Sequence, residues 1–274
     1  MERIQKAIEK AREARNAQGR KAEASGETAP RPPSSGRALI PTTWLELARF
    51  SPDLRHFENM RIVTLASDKK TAPFDVIRTR LRQQMQANGW RRVAITSPSA
   101  ACGKTTASIN LAFSMARQTK LKTMLIELDL RQPSMAGILG LQNRHQFSEV
   151  LSAGAPFSDH AVVCDENFAI ATNHSPIESP AELLSGVESA RIIDGIEKLY
   201  KPDIMIFDMP PMLGSDDVMA FLDQIDCVLL IAAAEKTAAD EIEKCEAAIA
   251  ARSNFLGVVL NKCRYLDKAE RESY

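Results

Sequence analysis

From residue 74 onward the chain alternates short, almost uninterrupted apolar runs with longer stretches in which apolar residues recur every three or four positions. The short runs are RVAIT (92–96), KTMLIEL (122–128), FAIAT (168–172), DIMIF (203–207), CVLLIAA (227–233) and FLGVVLN (255–261). A strand that is apolar at consecutive positions is covered on both faces, as inside a parallel sheet. The longer stretches, 74–88, 104–118, 180–199 and 236–252, carry helical spacing. Strand–helix alternation of this length predicts an α/β fold with a doubly wound, mostly parallel sheet flanked by helices. Right-handed crossovers then bring the strand C-termini to one edge, where ligands of such folds bind.

The pattern ahead of this body is different. Ile4, Ala7, Ile8, Ala11 and Ala14 sit at helical spacing among charged residues, which predicts an N-terminal helix over 1–18 with a thin apolar stripe. A Gly-, Pro- and Ser-rich composition follows, including PRPPSSG at 30–36, and predicts a flexible linker and lead-in over 19–58. The compact domain is expected over 59–266 and a C-terminal tail over 267–274.

Composition changes the picture in a few respects. Thirty-five Lys and Arg balance 35 Asp and Glu, which argues against a dedicated nucleic-acid binder. The longest apolar run, Cys227–Ala234, falls short of the roughly 20 residues of a membrane span. Five cysteines without a C-x-x-C pair and four scattered histidines give neither a disulfide framework nor a zinc site. A reducing cytoplasm is expected.

The candidate chemistry sits at three strand ends. The 92–96 strand runs through SPSAACGKTT (97–106) into a helix. In such a loop Gly103 lets backbone approach a phosphate, Lys104 reaches the β/γ-phosphates, and the Thr105 hydroxyl ligates a magnesium ion at a helix N-terminus. The full G-x-x-x-x-G-K-[ST] pattern is incomplete, with Pro98 at its first glycine. The 122–128 strand leads through LIELDLRQP, which spaces Glu127 and Asp129 two apart, on one side of an extended chain, with Arg131 beyond. Paired carboxylates there can hold hydrated magnesium or accept a proton from an attacking hydroxyl. The 203–207 strand ends in Asp208-Met209-Pro210-Pro211, a lone carboxylate closing an apolar strand.

TSPSAACGKTTASINLAFSMA, LIELDLRQP and IMIFDMPPM, in that order, resemble the bacterial tyrosine kinases of capsule and exopolysaccharide synthesis, within the MinD/ParA-like P-loop ATPases. ESPAELLSG (178–186) is similar to that family's N-P-x-E-L-L segment, and LGVVLNKC (256–263) places Asn261 where relatives border the adenine. The resemblance implies an ATP- and Mg²⁺-dependent tyrosine autokinase that regulates polymer assembly and export. Cys102, Gly103, Lys104, Thr105 and Thr106 would cradle phosphates, and Thr105, Asp129 and Asp208 would hold the metal. Lys104, Glu127, Asp129 and Arg131 would serve the transfer, with Tyr265 and Tyr274 as acceptors. The implied partners are a membrane chain-length determinant (a polysaccharide co-polymerase) as activator and further copies of the chain. The implied location is cytoplasmic, with recruitment to the inner face of the membrane by that partner. The alternative is a MinD/ParA-like ATPase switch without tyrosine phosphorylation.

The sequence departs from the family pattern at identifiable places. Ala100 and Ala101 replace the Pro-Gly of the loop, and Glu127 replaces an aspartate. Only Arg78 survives of an E-x-x-R-x-x-R oligomerisation motif, whose first two charged positions are Ala72 and Asp75. If position 101 needs positive φ, an alanine there is strained. Tyr200 reads as a helix-end packing residue, Cys102 as a small loop filler, and the arginines at 78, 80, 82, 91 and 92 as a salt-bridged face or a surface for an acidic partner or membrane.

Overall fold

The computed structural model describes residues 42–65, 69–142 and 144–263. The expected N-terminal helix, the linker before residue 42, Tyr265, Tyr274 and the tail lie outside the described residues.

In chain order the elements are α1 (Thr42–Leu45), β1 (Ala48–Arg49), α2 (Leu54–Asn59), α3 (Ala72–Asn88), β2 (Arg92–Ser97), α4 (Lys104–Ala116), β3 (Thr123–Glu127), α5 (Met135–Leu139) and α6 (Phe147–Ala153), then β4 (Ala161–Cys164), β5 (Phe168–Ala171), α7 (Pro180–Ser185), α8 (Val187–Tyr200), β6 (Ile204–Pro211), α9 (Asp217–Phe221), β7 (Cys227–Ala233), α10 (Ala239–Ala250) and β8 (Asn254–Asn261). They build one eight-stranded sheet in the order β1-β4-β5-β3-β6-β2-β7-β8. Every neighbouring pair is parallel except β4 and β5. The central strands are buried except at Arg92 and Pro211, and their side chains alternate between two apolar layers. Met124 and Ile126 enter one layer and Leu125 the other; Ala94 enters the first, Val93 and Ile95 the second. This two-sided burial is the physical origin of the unbroken apolar runs.

Four features add to or differ from the sequence expectation. The last part of the lead-in packs onto the body. Trp44 is 1% exposed, its indole N–H donates to the Tyr200 carbonyl at 2.7 Å, and Leu47 and Phe57 are also buried. Those three apolar side chains, scattered without periodicity, find their partners only in the folded body. The helix expected over 180–199 is two helices, because Gly186 adopts an extended conformation (φ −65°, ψ 136°) and breaks the ladder. The strand ending at 207 continues to Pro211. Finally, β4 and β1 were not foreseen. β4 pairs antiparallel with β5, and β1 runs parallel to β4. Tyr200 is indeed a packing residue, 3% exposed and edge-on to Phe157 and Trp44.

Candidate active site

The parallel register sets the C-terminal ends of β2, β3 and β6 side by side. Ile95 lies opposite Asp208, and Glu127 opposite Asp208 on the other flank. Residues 97–103 turn from β2 into α4, whose first residue is Lys104. Gly103 occupies the N-cap with φ 90°, and a Cβ there would stand 2.4 Å from Asn261 Nδ2. The positive φ favours glycine, and a side chain there would displace the Asn261 amide. The capping position carries no side-chain acceptor, so the first amides of α4 are left for another acceptor. A helix N-terminus in that state favours an anion.

Lys104 Nζ donates to Asp129 Oδ2 at 2.6 Å, and both side chains are largely buried. Burial alone would lower the lysine pKa; Asp208, Asp129 and Glu127 more than offset it, so the ammonium is held above its ordinary value. Asp208 is completely buried. Ser108 Oγ stands 2.9 Å from Asp208 Oδ1, with the Lys104 carbonyl as its alternative acceptor at 2.9 Å, and Asp208 Oδ2 has no hydrogen-bond partner. Burial pushes the Asp208 carboxyl up, against the opposing pull of the Lys104 ammonium and the Thr105 and Ser108 hydroxyls. An orphaned, buried carboxylate oxygen is a marked deficit. The Thr105 hydroxyl and Asp129 both act on the Asp208 carboxyl, and together the three form an all-oxygen set suited to Mg²⁺, which is typically held by one or two carboxylates and phosphate oxygens. Among the described residues no three His, Cys, Asp or Glu side chains form a ready-made metal cage.

The structure thus brings Lys104, Thr105, Asp129 and Asp208 together. It engages Glu127 and Arg131 elsewhere. The Glu127 carboxylate is fully buried and accepts the amides of Ser134 and Met135 (both 2.7 Å) and of Asn173 (2.8 Å). Burial raises its pKa to about 7, against those three donors. These three bonds fasten two loops to the end of β3. The Glu127 charge still acts on the Lys104 ammonium. Arg131 makes a two-pronged ion pair with Asp217 (Nε–Oδ2 2.7 Å, an Nη–Oδ1 contact of 2.9 Å), and Asp217 is 0% exposed. It orders the strand end against α9. Sequence reading missed Asp217 and Ser108. Ser108 had a weak signal, lying one helical turn after Lys104 on the same face.

Two cavities flank the loop. One, of about 520 Å³, has apolar walls that include Phe74, Ile77 and Val259 and a rim of Gly103, Thr106 and Asn261. The other, of about 420 Å³, lies between Pro98, Asp129, Arg131, Pro210 and Leu213. Asn261 Nδ2 donates to the Cys102 carbonyl at 2.9 Å, which places it at the edge of the first cavity. Cys102 is buried in the loop, within reach of the Ser99 and Thr237 hydroxyls. Burial alone would raise its thiol pKa, but those hydroxyls, the Ser99 backbone and the Lys236 charge pull it below the ordinary value.

A Gly-Lys-Thr loop at a helix N-terminus, facing strand-end carboxylates on a mostly parallel sheet, defines the P-loop ATPase class. A family model described as AAA domain matches residues 91–253. A tyrosine-protein kinase, CpsD of Streptococcus pneumoniae serotype 4 (strain ATCC BAA-334 / TIGR4), is 31% identical over 184 residues, covering 65% of this chain and 79% of the relative. Tyrosine-protein kinase YwqD of Bacillus subtilis (strain 168) is 28% identical over 205 residues, 74% of this chain and 85% of the relative. The crystal structure of the chimerical protein CapA2B2 superposes with a TM-score of 0.66 at 26% identity, covering 80% of this chain and 93% of the other. The chain belongs to the bacterial tyrosine-protein kinase family of AAA-domain P-loop proteins.

Proposed function

We propose that the protein is an ATP- and Mg²⁺-dependent tyrosine autokinase that acts in capsule or exopolysaccharide assembly. The observation that carries this reading is the convergence of Lys104, Asp129 and Asp208 beneath the phosphate loop. The amides around Gly103 and Thr106 bind phosphate oxygens, and Lys104 neutralises charge on them. To do so, Lys104 leaves Asp129, and that carboxylate becomes available to the metal or to the acceptor hydroxyl. Thr105 and Asp208 would hold the metal, which would supply charge neutralisation to the phosphates. The cavity beside Thr106 and Asn261 takes the nucleoside. The cavity over Asp129 takes a phenol, with prolines on its walls and the carboxylate as proton acceptor. Positioning and charge neutralisation are most of what phosphoryl transfer requires. Tyr265 and Tyr274 are the acceptors.

No helix among the described residues is long and apolar enough to cross a membrane. In this reading a chain-length-determining membrane protein recruits the kinase, and its cytoplasmic part activates it. Self-assembly through α3 is disfavoured: Arg78 is engaged within the chain by Asp75 (2.8 Å) and by Ser114 (3.1 Å), and Asp75 is also bonded to Arg117. The test is incubation of the full chain with ATP and Mg²⁺, with and without the activator's tail, followed by phosphotyrosine mapping. Phosphate at Tyr265 or Tyr274 is expected. Phosphate release without phosphotyrosine would instead establish the ATPase switch.

A further inference from the structure

Ala100 and Ala101 stand where the family pattern would have Pro-Gly, and here Ala101 has φ 59°, the left-handed conformation that an alanine adopts at a cost. Its surroundings are unusual in one respect. Three successive carbonyls of the loop each accept a hydrogen bond from a side chain at the end of a neighbouring strand. Lys236 Nζ donates to the Ala100 oxygen at 2.7 Å, Lys262 Nζ to the Ala101 oxygen at 2.7 Å, and Asn261 Nδ2 to the Cys102 oxygen at 2.9 Å. The donors come from two segments that are themselves joined, since the Ala234 amide donates to the Asn261 carbonyl at 2.8 Å. Glu235, just before one lysine, and Lys262 itself are also left-handed, both with φ 62°. Three of the six left-handed non-glycine residues among the described residues therefore meet at this loop. Strain concentrated in one place persists only where surrounding contacts over-determine it.

We propose that Lys236, Asn261 and Lys262 are positioning residues that splint the phosphate loop from outside and compensate for the alanine at position 101. This deepens the kinase reading and rests on it. The physical link is the rigidity of the peptide unit. In a trans peptide the carbonyl of one residue and the amide of the next point to opposite sides. Fixing the oxygens of 100, 101 and 102 outward therefore turns the amides of Ala101, Cys102 and Gly103 inward, to the side a phosphate would occupy. The lysines act on the loop's backbone and leave contact with phosphate to Lys104. Nothing in a phosphate-loop motif signals them, because they lie more than 130 residues away in sequence.

The test uses the full chain and MgADP as the probe, measured by equilibrium titration, with amide hydrogen exchange of residues 100–104 in the nucleotide-free protein as a second readout. Lys262→Met is expected to weaken MgADP about fivefold, the order of one charge-assisted hydrogen bond near the surface, and to speed exchange in the loop. Lys262→Arg restores both. In an Ala101→Gly background, where the left-handed turn is free of strain, Lys262→Met costs less than half as much. Lys236→Met behaves in the same direction. Unchanged affinity and unchanged loop exchange in the lysine variants would overturn the splint, as would an equal penalty in both backgrounds. Wild-type protein that binds no MgADP would remove the kinase reading instead, and the exchange readout alone would then decide the splint.

Discussion

The phosphate loop and the end of β3 lie on the same sheet edge, yet they are held in opposite ways. At the loop, the groups that would meet a phosphate are left open, and the backbone is braced from outside by exposed side chains of Lys236 and Lys262. At the end of β3, the charged side chains are consumed by their own chain: Glu127 by three amides, Arg131 by Asp217, and Asp129 by Lys104. The loop is thus preorganised, whereas the β3 end is rigid at Glu127 and Arg131 and releasable only at Asp129. A lysine that bridges the two regions gives ligand binding a means of freeing that one carboxylate.

The largest effect should come from removing that lysine or the buried carboxylate beside it, Asp208. Lys104→Ala and Asp208→Ala are expected to lower turnover by about 100- to 1,000-fold, as for loss of one preorganised electrostatic group. Both variants should keep the circular dichroism of the wild type, and steady-state phosphate release or autophosphorylation measures the loss. Retained turnover in either would break the comparison at its centre.

Next comes the Arg131–Asp217 pair. Asp217 is wholly buried while the Arg131 side chain is 43% exposed, so the two halves are unequal. Asp217→Asn, which removes the charge while keeping the shape, should cost about 2 kcal/mol of stability. Arg131→Ala should lower the melting temperature further still, because it strands a buried carboxylate, whereas an unpaired guanidinium can hydrate. The reverse ranking, read by thermal denaturation, would mean that Arg131 serves the cleft rather than the fold.

How much of this was legible follows from the range of each interaction. The strands, their order of chemistry and the Lys104–Asp129–Asp208 convergence were readable, because apolar runs and strand-end residues report local structure and topology supplies the rest. Trp44 was not, since a single aromatic in a polar lead-in has no periodicity. The role of Glu127 was hidden because its partners are backbone amides of residues 134, 135 and 173, and amides leave no mark in a sequence. Asp217 and the two lysines lie 86 residues and more from the groups they hold. The antiparallel β4 escaped because AVVC is too short to stand out.

Glu127 sharpens the contrast through pH. Its folded carboxyl titrates at about 7 because of burial, well above an unfolded glutamic acid. A raised carboxyl contributes stability that is fully present below the unfolded value and lost as pH rises through the folded one. Between pH 5 and pH 8 the wild type should therefore lose roughly 2 kcal/mol relative to Glu127→Gln, measured by denaturant titration of both proteins. No relative change over that window would mean that the three amides outweigh burial and keep the carboxylate ionised throughout.

The smallest effect tests the strain itself. Ala101 holds a left-handed φ of 59°, which costs an L-residue about 1–2 kcal/mol relative to glycine in the folded state. Glycine returns part of that through the larger entropy of its unfolded chain, about 0.4–1 kcal/mol. Ala101→Gly should therefore raise stability by about 0–1.6 kcal/mol, a shift of a few degrees in a scan. At the β3 end no comparable relief exists, because Glu127 and Arg131 are satisfied by partners and carry no left-handed backbone. A measurable gain at 101 would locate the strain of this sheet edge in the phosphate loop, where the compensating lysines are found. A loss would mean that the alanine methyl contributes packing worth more than the torsion it imposes.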